Sequence, residues 1–138
     1  MIQIGKYQIP KDFFLFLVIS VLLGMVTAVD STSLANRLYE ELNFTVMERS
    51  LLEAPRELPG LLLVVLFGML NGLGDIRIAA VANIIGGVGL LFFGVAPGSF
   101  TLILTFLVLY STGMHLYLPL ASTMAMSFAT GSNYGRRI

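Results

Sequence analysis

Phe13-Phe14-Leu15-Phe16-Leu17-Val18-Ile19-Ser20-Val21-Leu22-Leu23-Gly24-Met25-Val26-Thr27-Ala28-Val29 carries no charged side chain from end to end. As an α-helix it would be about 25 Å long, close to the ~30 Å of a bilayer's hydrocarbon core. The shortfall predicts that the helix continues through Asp30 and into Ser31-Thr32-Ser33. Lys6 and Lys11 precede the run, as in a secretory leader. The run is long for a leader's apolar region, and more apolar sequence follows it where a soluble domain would be expected.

Composition agrees with a bilayer as solvent. Hydrophobic residues make up 57% of the 138 and charged residues 12%, with a mean hydropathy of +0.88. Soluble domains are nearer ~45–50% apolar and ~25% charged. With no water in hydrocarbon to satisfy backbone N–H and C=O groups, only helices or closed barrels can cross it. The apolar runs here are long and continuous, not alternating, so the expected class is an all-α membrane protein. The chain has no cysteine and one histidine, which excludes disulfides, thiol catalysis and a multi-histidine metal site. Net formal charge is zero, and the basic residues form no cluster beyond Arg136–Arg137, so no nucleic-acid partner is expected. No G-x-S-x-G, H-E-x-x-H or P-loop motif is present. Neither an enzyme nor a cofactor is expected.

Working outward, four transmembrane helices are expected, about 12–32, 51–74, 77–95 and 100–128, in a single membrane domain over 1–138. Span two is ambiguous at its start. Leu58 to Gly74 is uncharged, yet it also gives only about 25 Å. Either that helix is short, or its upstream turns carry Glu53, Arg56 and Glu57 to the membrane edge. Asp75 is placed to cap the next helix with its carboxylate, and Ala96-Pro97-Gly98-Ser99 reads as a turn. Lys6, Lys11, Arg77, Arg136 and Arg137 fall on one side, against Arg37, Arg49 and Arg56 on the other. The bias places both termini in the cytoplasm of a multi-pass cell-membrane protein. Gly68-x-x-x-Gly72, Ala82-x-x-x-Gly86 and Asn83-x-x-x-Gly87 have the small-residue spacing that lets helices in lipid approach closely. Asn83 is expected to hydrogen-bond across to another helix.

Polar residues inside apolar helices mark candidate sites. His115 lies near the middle of span four. Pro119, four residues on, lacks the N–H that would bond the His115 carbonyl. Ser111 and Ser122 share roughly the same face. This stripe suits a substrate or a relayed proton; a histidine bonded to a neighbouring helix for packing alone fits the same residues. Asp30 either binds a cation or proton within a cavity or ends its helix in the headgroup region. Arg49 with Glu53 and Glu53 with Arg56 are opposite-charge pairs at helical spacing, on a solvated helix or on the outer half of span two.

The pattern resembles the N-terminal part of a major facilitator superfamily transporter. A cytoplasmic start leads to a long first helix ending in Asp30-Ser31-Thr32, and an acidic segment precedes span two. Gly68-Met69-Leu70-Asn71-Gly72-Leu73-Gly74-Asp75-Ile76-Arg77 resembles a degenerate form of that family's loop between helices two and three. Asn71 replaces its first glycine, and Ile78-Ala79-Ala80 stand where glycine and basic residues occur. Ser111-Thr112-Gly113-Met114-His115 is similar to the family's glycine-rich fourth helix, although Leu109 stands where proton-coupled drug antiporters carry arginine. Gly135-Arg136-Arg137 resembles a basic loop leading to a fifth helix.

The resemblance implies the first four helices of a longer transporter, a partial N-terminal bundle with its substrate site at the midplane. Its function would be to move a small molecule or ion by alternating access. Asp75, with Arg77 and Gly72, would form the gating loop, and Asp30 and His115 would face the cavity. The remaining partners would be the lipid bilayer and the rest of the transporter. Alternatives are a complete four-span oligomeric exporter, like the small multidrug-resistance exporters, or a non-transporting membrane subunit. No clear span carries a mid-helix acid, as those exporters require.

Overall fold

The computed structural model describes residues 1–4 and 7–128. Lys6 and the Gly135-Arg136-Arg137 loop lie outside them. The elements are β1 (Ile2–Ile4), β2 (Tyr7–Ile9), α1 (Lys11–Asn36), α2 (Val46–Leu61), α3 (Leu63–Leu70), α4 (Asp75–Val95) and α5 (Phe100–Ser127), with a π-helical turn at Arg37–Glu41 after α1. The chain divides into two compact units, Phe44–Met124 and the rest.

In the terminal unit, β1 and β2 pair antiparallel with Ile2 opposite Ile9 and Gln3 opposite Gln8. This hairpin departs from the expected all-α fold. Its Ile-Gln-Ile and Tyr-Gln-Ile triplets alternate with period two, too short a signal to stand out beside the apolar runs. The α1 helix continues through Asp30, as the length argument predicts, and passes the expected boundary at 32 to reach Asn36. Inside it, Ser20 donates to the Phe16 carbonyl at 2.8 Å and Thr27 to that of Leu23 at 2.9 Å. Each hydroxyl is thus satisfied within its own helix. No residue of Lys11–Ala28 is buried by the chain's own packing. Burial starts at Asp30, Leu34 and Leu38, spaced four apart on one face. The Leu42 N–H closes the π turn on the Arg37 carbonyl. Asn43, at φ 55°, ends the helical run, asparagine being among the residues that tolerate the left-handed region.

The central unit opens with a capping box. The Thr45 backbone N–H donates to Glu48 Oε2 at 2.8 Å, and the Glu48 N–H donates back to Thr45 Oγ1 at 3.3 Å. These bonds satisfy two orphan donors and set the start of α2. Both Pro55 and Pro59 lie inside α2, and Pro59 has no N–H to offer the Pro55 carbonyl. The helix yields at Leu62, and α3 begins one residue later. Bonds from the Leu62 N–H to the Leu58 carbonyl and from the Leu66 N–H to the Leu62 carbonyl bridge this joint, so the defect is local.

The continuous second span expected over 51–74 is therefore not formed. α2 carries the charges, and α3, with eight residues, is about 12 Å long. Among the described residues, three helices are long and apolar enough to cross a membrane: α1 through its Lys11–Ala28 stretch, α4 and α5.

α4 starts at Asp75, so the predicted cap is displaced by one residue. Gly74, at φ 75°, takes the capping position without a side-chain bond, and Asp75 becomes the first helical residue. The left-handed backbone that glycine permits is what moves the start. There the Asp75 carboxylate still complements the positive end of the helix dipole. α5 runs through Pro119 to Ser127.

Candidate functional site

Two neighbours pack on α5 in different ways. α4 crosses it backbone to backbone. A Cβ added to Gly89 would lie 2.8 Å from the Phe106 carbonyl oxygen, and one added to Gly113 would lie 2.5 Å from Gly86 Cα. Ala82 is fully buried, and Gly86, Gly89 and Gly113 are buried with it. The Ala82-x-x-x-Gly86 pair thus does what its spacing predicts. The other two motifs do not: added Cβ atoms on Gly68, Gly72 and Gly87 would meet nothing within 4 Å. Asn83 donates to the Ala79 carbonyl of its own helix at 2.9 Å, not across to another helix. A side chain whose amide can reach its own preceding turn needs no partner helix.

α2 meets α5 through polar groups. Phe44, just ahead of α2, stacks on Phe100, the first residue of α5, with ring centroids 5.9 Å apart. Further along, the Ser111 hydroxyl donates to the Arg56 carbonyl. Four residues beyond each, Gly60 lies against the His115 imidazole, where an added Cβ would fall 2.9 Å from Cε1. These three contacts advance together, so α2 and α5 run parallel with matched helical turns. At the last of them, His115 Nε2 lies 3.4 Å from Glu57 Oε2, with 26% of the histidine side chain and 59% of the glutamate exposed. Arg56 pairs with Glu53 at 3.2 Å one turn back.

The site therefore comprises Ser111 and His115 on α5 with Arg56 and Glu57 on α2, and Glu53 at its edge. Ser111, His115, Arg56 and Glu53 were legible as candidates in the sequence. Glu57 and Gly60 were not singled out. Glu57 stood in a crowded charged run, and nothing local distinguishes the acid that meets a distant histidine. Gly60 acts by its missing side chain, since any larger residue would occupy the imidazole's place.

Other expected members fall elsewhere. The Arg49–Glu53 pair does not form; Arg56, three residues on, takes the Glu53 carboxylate instead. Ser122 is exposed, so the polar stripe stops at His115. Asp30, 6% exposed, belongs to the terminal unit. Gly72, Asp75 and Arg77 are exposed in and beside the connector between α3 and α4. The side chains of Ser31 to Ser33 lie outside those described. Outside the apolar helices, the two bonds from Thr45 favour the ionised form of Glu48, the backbone N–H first and the hydroxyl second, and hold its carboxyl below the usual 4.5. Among the described residues, no group of three or more His, Cys, Asp or Glu is arranged to hold a metal ion.

No protein-family model, no curated protein and no solved structure matches the chain.

Proposed function

We propose that this chain is a membrane-embedded part of a secondary transporter that moves a small solute by alternating access. The carrying observation is the polar contact of α2 and α5 beside a jointed helix. Ser111, His115 and Glu57 lie together where α2 gives way to α3 at Leu62. An ionisable residue midway along an apolar helix is costly in lipid and is kept where it faces a cavity or a partner. Discontinuous helices are a recurring feature of transporter binding sites. In this reading α2 and α3 together act as a jointed second span, parallel to α5. The four-helix, major facilitator-type bundle rests on that joint and on the loop resemblance around Asp75. The basic-residue bias supports cytoplasmic termini.

The chain has no cysteine, so His115→Cys and Ser111→Cys each introduce a single reactive thiol. In oriented membranes, a membrane-impermeant thiol reagent should modify position 115 from each side in turn. Complete protection from both sides would remove the transport reading.

A further inference from the structure

We infer that α2 and α3 cross the bilayer in succession, and that Met47, Leu51, Ala54, Leu58, Leu61 and Val65 form a surface for lipid acyl chains. The jointed second span is shared with the transport reading. The face that meets lipid goes beyond it, and neither depends on a transported solute.

Parity carries the crossing. The start of α1 and the end of α5 lie together: the Phe128 ring centroid is 5.3 Å from that of Phe13 and 5.7 Å from that of Phe16. With α1 crossing, its end lies at the opposite membrane face. α4 and α5 run antiparallel, since Gly86 meets Gly113 while Gly89, further along α4, meets Phe106, earlier on α5. α4 therefore begins on the face where α5 ends, which is the face where α1 begins. Between the end of α1 and the start of α4 the chain has to return, and α2 with α3 is the segment that does so. Crossings by α1, α4 and α5 alone would leave Phe13 and Phe128 on opposite faces.

An independent observation gives the same direction. α2 runs parallel to α5, from Phe44 on Phe100 to Gly60 on His115, and α5 runs toward the face it shares with the start of α1. Val46 to Leu70 amounts to about 37 Å of helix, enough for a hydrocarbon core of ~30 Å.

The mixed composition of α2 hides this because its faces differ. Leu52 and Pro59 are buried. Met47, Leu51, Ala54, Leu58, Leu61 and Val65 recur at alternating steps of four and three, which puts them on one side, and each is exposed. At about 100° per residue, Arg49, Glu53 and Arg56 lie across the helix from that stripe. Glu57, at its margin, meets His115. An apolar stripe at bilayer depth needs no protein partner, because acyl chains are as apolar as leucine. The charges are kept to the other side, away from lipid.

The chain has no cysteine, so single thiols in the full chain, reconstituted in lipid vesicles, test both parts. Val46→Cys and Asn71→Cys replace exposed residues and should react with a membrane-impermeant thiol reagent from opposite sides. Reaction of both from the same side overturns the crossing. A thiol-linked fluorophore at Leu58→Cys should lose most of its emission to phospholipids brominated along their acyl chains, and one at Glu53→Cys should lose little. Should Glu53→Cys fail to fold, Arg49→Cys takes its place. Equal quenching on the two sides of the helix overturns the lipid-facing stripe. So does an unquenched Leu58→Cys, which would put a second copy or another polypeptide segment over it. Thiol reaction at position 115 judges the transport reading separately. Positions 46 and 71 on one side, with position 115 still reached from each side in turn, would end the crossing and keep the transport. Positions 46 and 71 on opposite sides, with position 115 fully protected, would do the reverse.

Discussion

The two neighbours of α5 are held by opposite means. Against α4 the contact is bare backbone, with Ala82, Gly86 and Gly89 facing Phe106, Tyr110 and Gly113. Against α2 it is a hydroxyl, an imidazole and a carboxylate on a helix with two internal prolines and a joint at its end. A backbone crossing has no side chain that can swing away, so its geometry is fixed by the closeness that small residues allow. A contact through polar side chains can open and reclose. The first reads as a pivot and the second as a clasp.

Five substitutions would break or sharpen that contrast. The largest effect is expected at the pivot. Gly113→Ala puts a Cβ against Gly86 backbone, which cannot rotate out of the way, and should cost about 1–3 kcal/mol, the usual penalty of overpacking. Its lowered Tm in detergent would show the loss, while Gly87→Ala, with nothing nearby, should leave Tm almost unchanged. Equal losses at both positions would dissolve the pivot.

At the clasp the expected effects are smaller. Ser111→Ala removes the donor to the Arg56 carbonyl and should cost about 0.6 kcal/mol, typical of interhelical bonds in bilayers. Hydrogen exchange around residues 56–61 should rise, with α4 unaffected. Gly60→Val should push the His115 ring away from α2, and faster hydrogen exchange at the C-terminal end of α2 would report the loosened contact.

The smallest effect lies at the start of α2. The folded-state pKa of Glu48 is depressed, so its bonds with Thr45 stabilise the fold above the unfolded value and are lost as pH falls through the folded one. Glu48→Gln should therefore differ most from the parent chain near neutral pH, and the difference in Tm should shrink below about pH 4.

How much of this was written locally can be read from particular residues. The runs Phe13–Val29, Ile78–Val95 and Phe100 onward specified α1, α4 and α5 because length and apolarity are enough to define a membrane-crossing helix. Asp30 was drawn into α1 by length alone. Ala82 and Gly86 were legible as an interface, yet Gly68, Gly72 and Gly87 carry the same spacing without a partner. The second span was read as one continuous helix because Leu58 to Gly74 is uncharged throughout, whereas Pro59 within that run withdraws a backbone donor and the helix yields at Leu62. Asp75 was misplaced by one residue because the backbone of Gly74, not the side chain of Asp75, decides where α4 begins.

By itself the sequence determined that this chain is mostly helix and apolar enough for a bilayer, since hydrocarbon leaves the backbone few other ways to satisfy its hydrogen bonds; it read four spans where the described residues form three helices long enough to cross. It also marked Ser111, His115, Arg56 and Glu53 as candidates. Tertiary structure alone decided that Ser111 reaches the Arg56 carbonyl, 55 residues away, and that His115 meets Glu57 across Gly60. The reason is register. A helix turns about 100° per residue, so a one-residue slip of α2 along α5 would aim Glu57 elsewhere while leaving every local pattern in the sequence intact.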